Sequence, residues 1–87
     1  MKMTAKAAMK LAEAKTGQYF QVDRMTVEGV LRRRLLDLGL VPRAVVEVLQ
    51  RSPLGDPVAY RINYMTVALR KEETERIFGQ IVEEEAV

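Results

Sequence analysis

Any chemistry in this 87-residue chain must come from carboxylates, guanidinium and ammonium groups, and hydroxyls, because the sequence holds no histidine and no cysteine. Imidazole acid–base catalysis, thiolate nucleophiles, disulfides and cysteine–histidine zinc sites are thereby excluded. The densest run of charge is Arg32-Arg33-Arg34, set inside a leucine-rich stretch. Guanidinium forks suit carboxylates and phosphates alike. The simplest account is a solvated helix face with a pair to Asp37 or Glu28, worth about 0.2–0.5 kcal/mol. An arginine near a helix start opposes the macrodipole slightly, which argues for a role outside local stability. The net charge of +2 is too small to call for nucleic acid. An acidic protein surface is the better match.

The carboxylates point to less. Glu72, Glu73 and Glu75 could offer oxygen ligands to a hard cation, but neighbours on a short exposed helix rarely converge, and no second acidic cluster is near in sequence. Asp56 is a lone carboxylate with no partner base. The five methionines are scattered, as packing residues are. There is no P-loop, no GxGxxG and no nucleophile elbow. The sequence predicts no enzyme, no cofactor and no metal site.

The elements that position these groups centre on Val30 to Leu40 (VLRRRLLDLGL). Leu31, Leu35 and Leu38 fall on one helical face. Gly39 supplies the left-handed residue that ends a helix, and Pro42 forbids continuation. Leu36 and Leu40 lie off that stripe by helical spacing. They are either exposed beside the arginines as a binding patch or covered by the sheet or the N-terminal arm.

Strands flank this helix. Tyr19 to Thr26 alternates, with Phe20 and Val22 on one face. Ala44 to Arg51 is β-branched and apolar on both faces, as a central or covered strand is. Ser52-Pro53-Leu54-Gly55-Asp56-Pro57 is the strongest breaker in the chain. It reads as a rigid hairpin connection or, in a small barrel, a recognition loop. Val58 to Ile62, a tight turn at Asn63-Tyr64 and Thr66 to Leu69 form the next hairpin. A polar helical turn at Lys71 to Arg76 and a last strand at Ile77 to Val82 complete the set. Five short strands joined by tight turns predict a mainly-β fold, a small barrel with one inserted α-helix and a short helical turn.

The length allows one domain. Its expected bounds are a loose or helical arm over 1–10, anchored by Leu11 and Ala12, then a barrel over 11–82 and an acidic tail over 83–87. No apolar run approaches the ~20 residues of a membrane span, and MKMTAKAAMK lacks the apolar core of a secretory signal. The expected location is the cytoplasm. Short exposed strand edges leave self-association open.

Four segments in order carry a resemblance: LAEAKTGQ (Leu11 to Gln18), LRRRLLDLGLVP (Leu31 to Pro42), SPLGDPVAY (Ser52 to Tyr60) and VALRKEETERI (Val67 to Ile77). Together they resemble the FeoA family of bacterial ferrous-iron transport, over about residues 11 to 82. The resemblance implies an SH3-like barrel with a helix inserted after the first strand. It implies a non-catalytic cytosolic accessory of the membrane transporter FeoB, which carries a GTP-binding domain. Similar domains end iron- and manganese-dependent repressors, so a stand-alone module of a repressor system is the rival reading, and a ferrous-iron carrier is another. Ferrous iron usually takes imidazole ligands, which this chain lacks. The expected contact residues are Arg33, Leu36 and Leu40 on the helix with Leu54 and Asp56 in the loop. Two departures stand out: Arg43 and Asn63-Tyr64 occupy places where the family usually has glycine. Positive φ there would cost about 1–2 kcal/mol per residue.

Overall fold

The computed structural model describes residues 8–83. Strands β1 (Met9–Lys10), β2 (Tyr19–Met25), β3 (Val45–Arg51), β4 (Val58–Ile62), β5 (Met65–Leu69) and β6 (Ile77–Val82) form one antiparallel sheet. The order is β1-β6-β2-β3-β4-β5. Helix α1 (Gly29–Leu38) is inserted between β2 and β3, and the short helix α2 (Lys71–Thr74) lies between β5 and β6. None of the helices among the described residues is long and apolar enough to cross a membrane.

Strand alternation sets the core. Val46 and Val48 of β3, Val58, Tyr60 and Ile62 of β4, and Phe20 and Val22 of β2 all turn inward. They meet Leu11, Leu35, Leu40, Leu69 and Ile77 in a single buried cluster. The sheet therefore curls around one core, yet its edge strands β1 and β5 are not paired with each other. The small barrel of about five strands expected from the sequence is, among the described residues, a curled antiparallel sheet of six strands that does not close.

The sixth strand is β1. Met9 and Lys10 pair with Gly79 and Phe78, in a stretch expected to be a loose or helical arm. A strand of two residues has no periodicity to read, and only its distant partner defines it. The rest of that arm, 1–7, and the tail 84–87 lie outside the described residues. A 3-10 turn follows at Leu11–Glu13. Leu11 is fully buried, as expected, but Ala14 rather than Ala12 is the second anchor, 1% exposed. The Arg51 guanidinium donates to the Ala14 carbonyl at 2.8 Å and fastens this turn to β3.

Where β2 meets β6 the register slips at Asp23, so β2 carries a bulge there. Gly79 sits opposite Val22 at this slip. A Cβ on Gly79 would run into the Gln21 carbonyl oxygen and come within 2.9 Å of both the Gln21 carbonyl carbon and the Phe20 ring. Only glycine lets the two backbones approach this closely.

Both places where the resemblance leads one to expect glycine adopt positive φ. Arg43 has φ 77°, and its N–H donates to the Val22 carbonyl at 2.6 Å. Asn63 (φ 50°) and Tyr64 (φ 69°) form the two-residue connection between the paired residues Ile62 and Met65. Two successive positive φ values mark the mirror-image turn that fits the strand twist. Asparagine tolerates this; tyrosine does so at a cost.

Candidate partner-binding surface

α1 is the element that carries the expected surface, and its ending decides which leucines reach it. Gly39 is left-handed at φ 110°, its N–H donates to the Leu36 carbonyl at 3.0 Å, and the Leu40 N–H donates to the Leu35 carbonyl at 3.0 Å. This closure folds the chain back so that Leu40 meets the core beside Leu35. Both are 0% exposed. Leu40 is thus removed from the expected contact face. Helical spacing was extended one residue past the glycine that breaks it.

Leu36 is half-buried. It lines a small cleft of about 100 Å³ between α1 and β2, together with Arg32, Arg24, Asp23, Met25 and Pro42. Leu40 and Val22 form its floor. Arg32 and Arg33 are exposed and make no ion pair among the described residues. Arg24 stacks on Phe78, 4.5 Å from the ring centre. The result is a cleft with an apolar floor and a rim in which arginines outnumber the one carboxylate. Val30 (87% exposed), at the start of α1, adds apolar surface.

Arg34 behaves differently from its two neighbours. It pairs with Glu73 of α2 at 3.1 Å rather than with Asp37 or Glu28. The other Glu73 oxygen accepts the Arg70 N–H at 2.9 Å and caps α2. Glu75 lies 3.9 Å from the Lys71 ammonium. Two of the three clustered glutamates are therefore held by cations or backbone N–H. No group of three or more acidic side chains able to hold a metal occurs among the described residues.

The loop residues divide in the same way. Leu54 is 94% exposed at the tip of the β3–β4 connection. Asp56 accepts the Lys71 N–H at 2.8 Å, the first N–H of α2, so its carboxylate orders that helix. α2 had no part in the expected surface. Yet it connects the pieces: Arg34 of α1 reaches Glu73, and Lys71 reaches Asp56 in the loop. Nothing in the local sequence signals a pair separated by 39 residues.

Tyr60 of β4 and Thr74 at the end of α2 are both buried, 2% exposed each. Burial raises the Tyr60 hydroxyl above its ordinary pKa of 10.0, against smaller opposing effects of a Thr74 hydrogen bond and the Arg51 charge.

Residues 9–81 match the FeoA domain. The chain belongs to the FeoA family. A Porphyromonas gingivalis protein in which Fe(2+) transport protein A is fused to the Fe(2+) transporter FeoB is 37% identical over 78 residues. That match covers 90% of this chain but only 9% of the fusion protein. The solution structure of FeoA from Chlorobium tepidum is 41% identical, with a TM-score of 0.81 over 90% of this chain and 74% of that one. A zinc-complexed FeoA from Stenotrophomonas maltophilia, described as a prokaryotic SH3 domain protein, is 26% identical, with a TM-score of 0.73 over 84% of this chain and 91% of that one. The FeoA fold, and with it the link to ferrous-iron transport, is the frame for the cleft beside α1.

Proposed function

We propose that this chain is a cytoplasmic, non-enzymatic accessory of bacterial ferrous-iron uptake, and that it acts by direct contact with the FeoB-type transporter. The observation that carries the reading is the fused relative, in which a FeoA segment and FeoB share one polypeptide. Fusion holds two modules at high effective concentration, which is useful where the modules engage each other. The surface we assign to this contact is centred on the α1 cleft, with Arg32 at its rim and Leu36 inside, and includes the exposed Arg33 of the same helix and, separately, the exposed Leu54 of the β3–β4 loop. Exposed guanidiniums that make no ion pair among the described residues steer toward an acidic partner, and a half-buried leucine in a small cleft anchors it. Asp56 contributes by holding α2, not by touching the partner.

The test is a titration of this protein into purified, detergent-solubilised FeoB, with and without guanine nucleotide, at moderate and high salt. Saturable binding that weakens with salt, and that Arg33→Glu and Leu36→Asp each reduce at least about tenfold, supports the reading. Binding left intact by both variants moves the contact elsewhere on the chain. Absence of binding in every nucleotide state defeats the direct-contact model.

A further inference from the structure

Among the described residues, the sheet has two unpaired edges, and they are not alike. β1 is two residues long and runs straight into a 3-10 turn. β5 is five residues long, Met65-Thr66-Val67-Ala68-Leu69, and pairs with β4 without a bulge from Ile62↔Met65 to Val58↔Leu69. It holds no charged residue and no proline, so it lacks the devices by which edge strands avoid pairing. Its outward backbone groups are readily identified. Ile62 and Met65 close the two-residue turn, so the Met65 N–H points at β4. Alternation then directs Met65, Val67 and Leu69 toward β4, and Thr66 and Ala68 toward solvent.

We infer that β5 is a self-pairing edge, at which a second copy of this chain adds antiparallel about a two-fold axis at Val67. The occupant follows from the register. An antiparallel two-fold about Val67 sets Thr66 opposite Ala68 of the second copy, and Ala68 opposite Thr66. These are the residues whose N–H and C=O point outward, so each pair exchanges both of its backbone hydrogen bonds. Val67 meets Val67 of the second copy at the axis as the intervening non-bonded pair. A shift of one residue in the pairing would set inward-facing groups opposite outward-facing ones and forfeit those bonds.

The flanks agree with the same register. Continued outward, it brings Arg70 of the second copy alongside Tyr64. Tyr64 is 99% exposed at the hairpin tip, its ring left open to a neighbour. Arg70 is exposed and makes no salt bridge among the described residues. A guanidinium over an exposed ring is favourable by about 0.5–1 kcal/mol. The two Arg70 residues stand about 20 Å apart, six strand positions at about 3.4 Å each. That is beyond the Debye length of about 8 Å at physiological salt, so like charges do not oppose the pairing. An edge this short buries less than the ~1,200 Å² of a stable interface, so the dimer is weak and forms at high protein concentration.

Sedimentation analysis over a wide range of protein concentration, up to the solubility limit, tests this. The 9.9 kDa chain should pass from monomer to dimer across it. Over the same range, amide exchange at Thr66 and Ala68 should slow, while Met65, Val67 and Leu69, already bonded to β4, stay unchanged. Thr66→Pro deletes an outward N–H without touching the β4 ladder and should hold the chain monomeric throughout. If that variant fails to fold, Ala68→Lys places a charge on the edge and decides in its place. A monomer at every concentration overturns the proposal and leaves the edge to a strand of another protein. A dimer that persists undiminished in the folded variants overturns it as well. Neither result depends on whether FeoB binds α1.

Discussion

Gly79→Ala tests the close approach of β2 and β6 with a single methyl group. The new Cβ would collide with the Gln21 carbonyl oxygen, part of the backbone of the adjacent strand. A side chain could rotate away; a strand carbonyl held in a ladder cannot. Relief requires β2 and β6 to part near the bulge at Asp23, loosening ladder bonds worth about 0.5–1.5 kcal/mol each. Overpacking against the Phe20 ring, itself fully buried, adds about 1–3 kcal/mol. The expected loss is therefore about 3–5 kcal/mol, against a total of about 4–13 kcal/mol for a chain of this length. Urea titration at 25 °C would show it as a fall in midpoint, and thermal melting as a drop of at least about 12 °C. Phe20→Leu in the same chain should recover only a small part, because the main obstacle is backbone. A Gly79→Ala protein within about 0.5 kcal/mol of wild type would refute the reasoning, since surface-like tolerance is incompatible with that collision.

Three further outcomes follow from burial and backbone geometry. Leu40→Ala should cost about 2–5 kcal/mol in urea titration, as a fully buried leucine does, while Leu36→Ala costs under about 1.5 kcal/mol; equal losses would contradict the chain reversal at Gly39. Tyr64→Gly should stabilise by about 0.5–1 kcal/mol, because relief of a left-handed residue outweighs the added flexibility of glycine, and a destabilised variant would argue against the turn geometry. Tyr60 ionises at a higher pH in the folded state, so the folded protein holds that proton longer and its stability falls as pH rises above 10.0. Denaturant midpoints measured from pH 9 upward should show this decline in wild type and a shallower one in Tyr60→Phe.

Most of the fold was readable where one local signal decides. The α1 stripe ended by Gly39, the breaker loop around Gly55, and the Asn63-Tyr64 turn all rest on residues adjacent in sequence, and the structure places them as expected. Strands β4 and β6 match their expected limits because alternation and flanking turns bound them. The misses share a different cause. β1 exists only because Met9 finds Gly79, and Arg34 chooses Glu73 over nearer acids only because α2 packs there. Leu40 was misplaced by applying a helical period beyond the helix. Of the residues expected at a contact, Arg33 and Leu54 are exposed and Leu36 is half-buried, while Leu40 is core and Asp56 is engaged with α2. Exposure can be inferred from pattern, but long-range pairing cannot.

The pairing of the last strand with the first two has a consequence for how this domain can be joined to others and how it is made. Met9 lies opposite Gly79, and Tyr19 opposite Val82, so the polypeptide enters and leaves the domain at neighbouring points of one sheet. A flanking module can be attached at either end without spanning the body of the fold. The same arrangement makes β6 a keystone in time. It occupies the place between β1 and β2, so on a ribosome the sheet stays incomplete until residue 82 has emerged, and the Phe20 and Val22 face of β2 waits uncovered on that side.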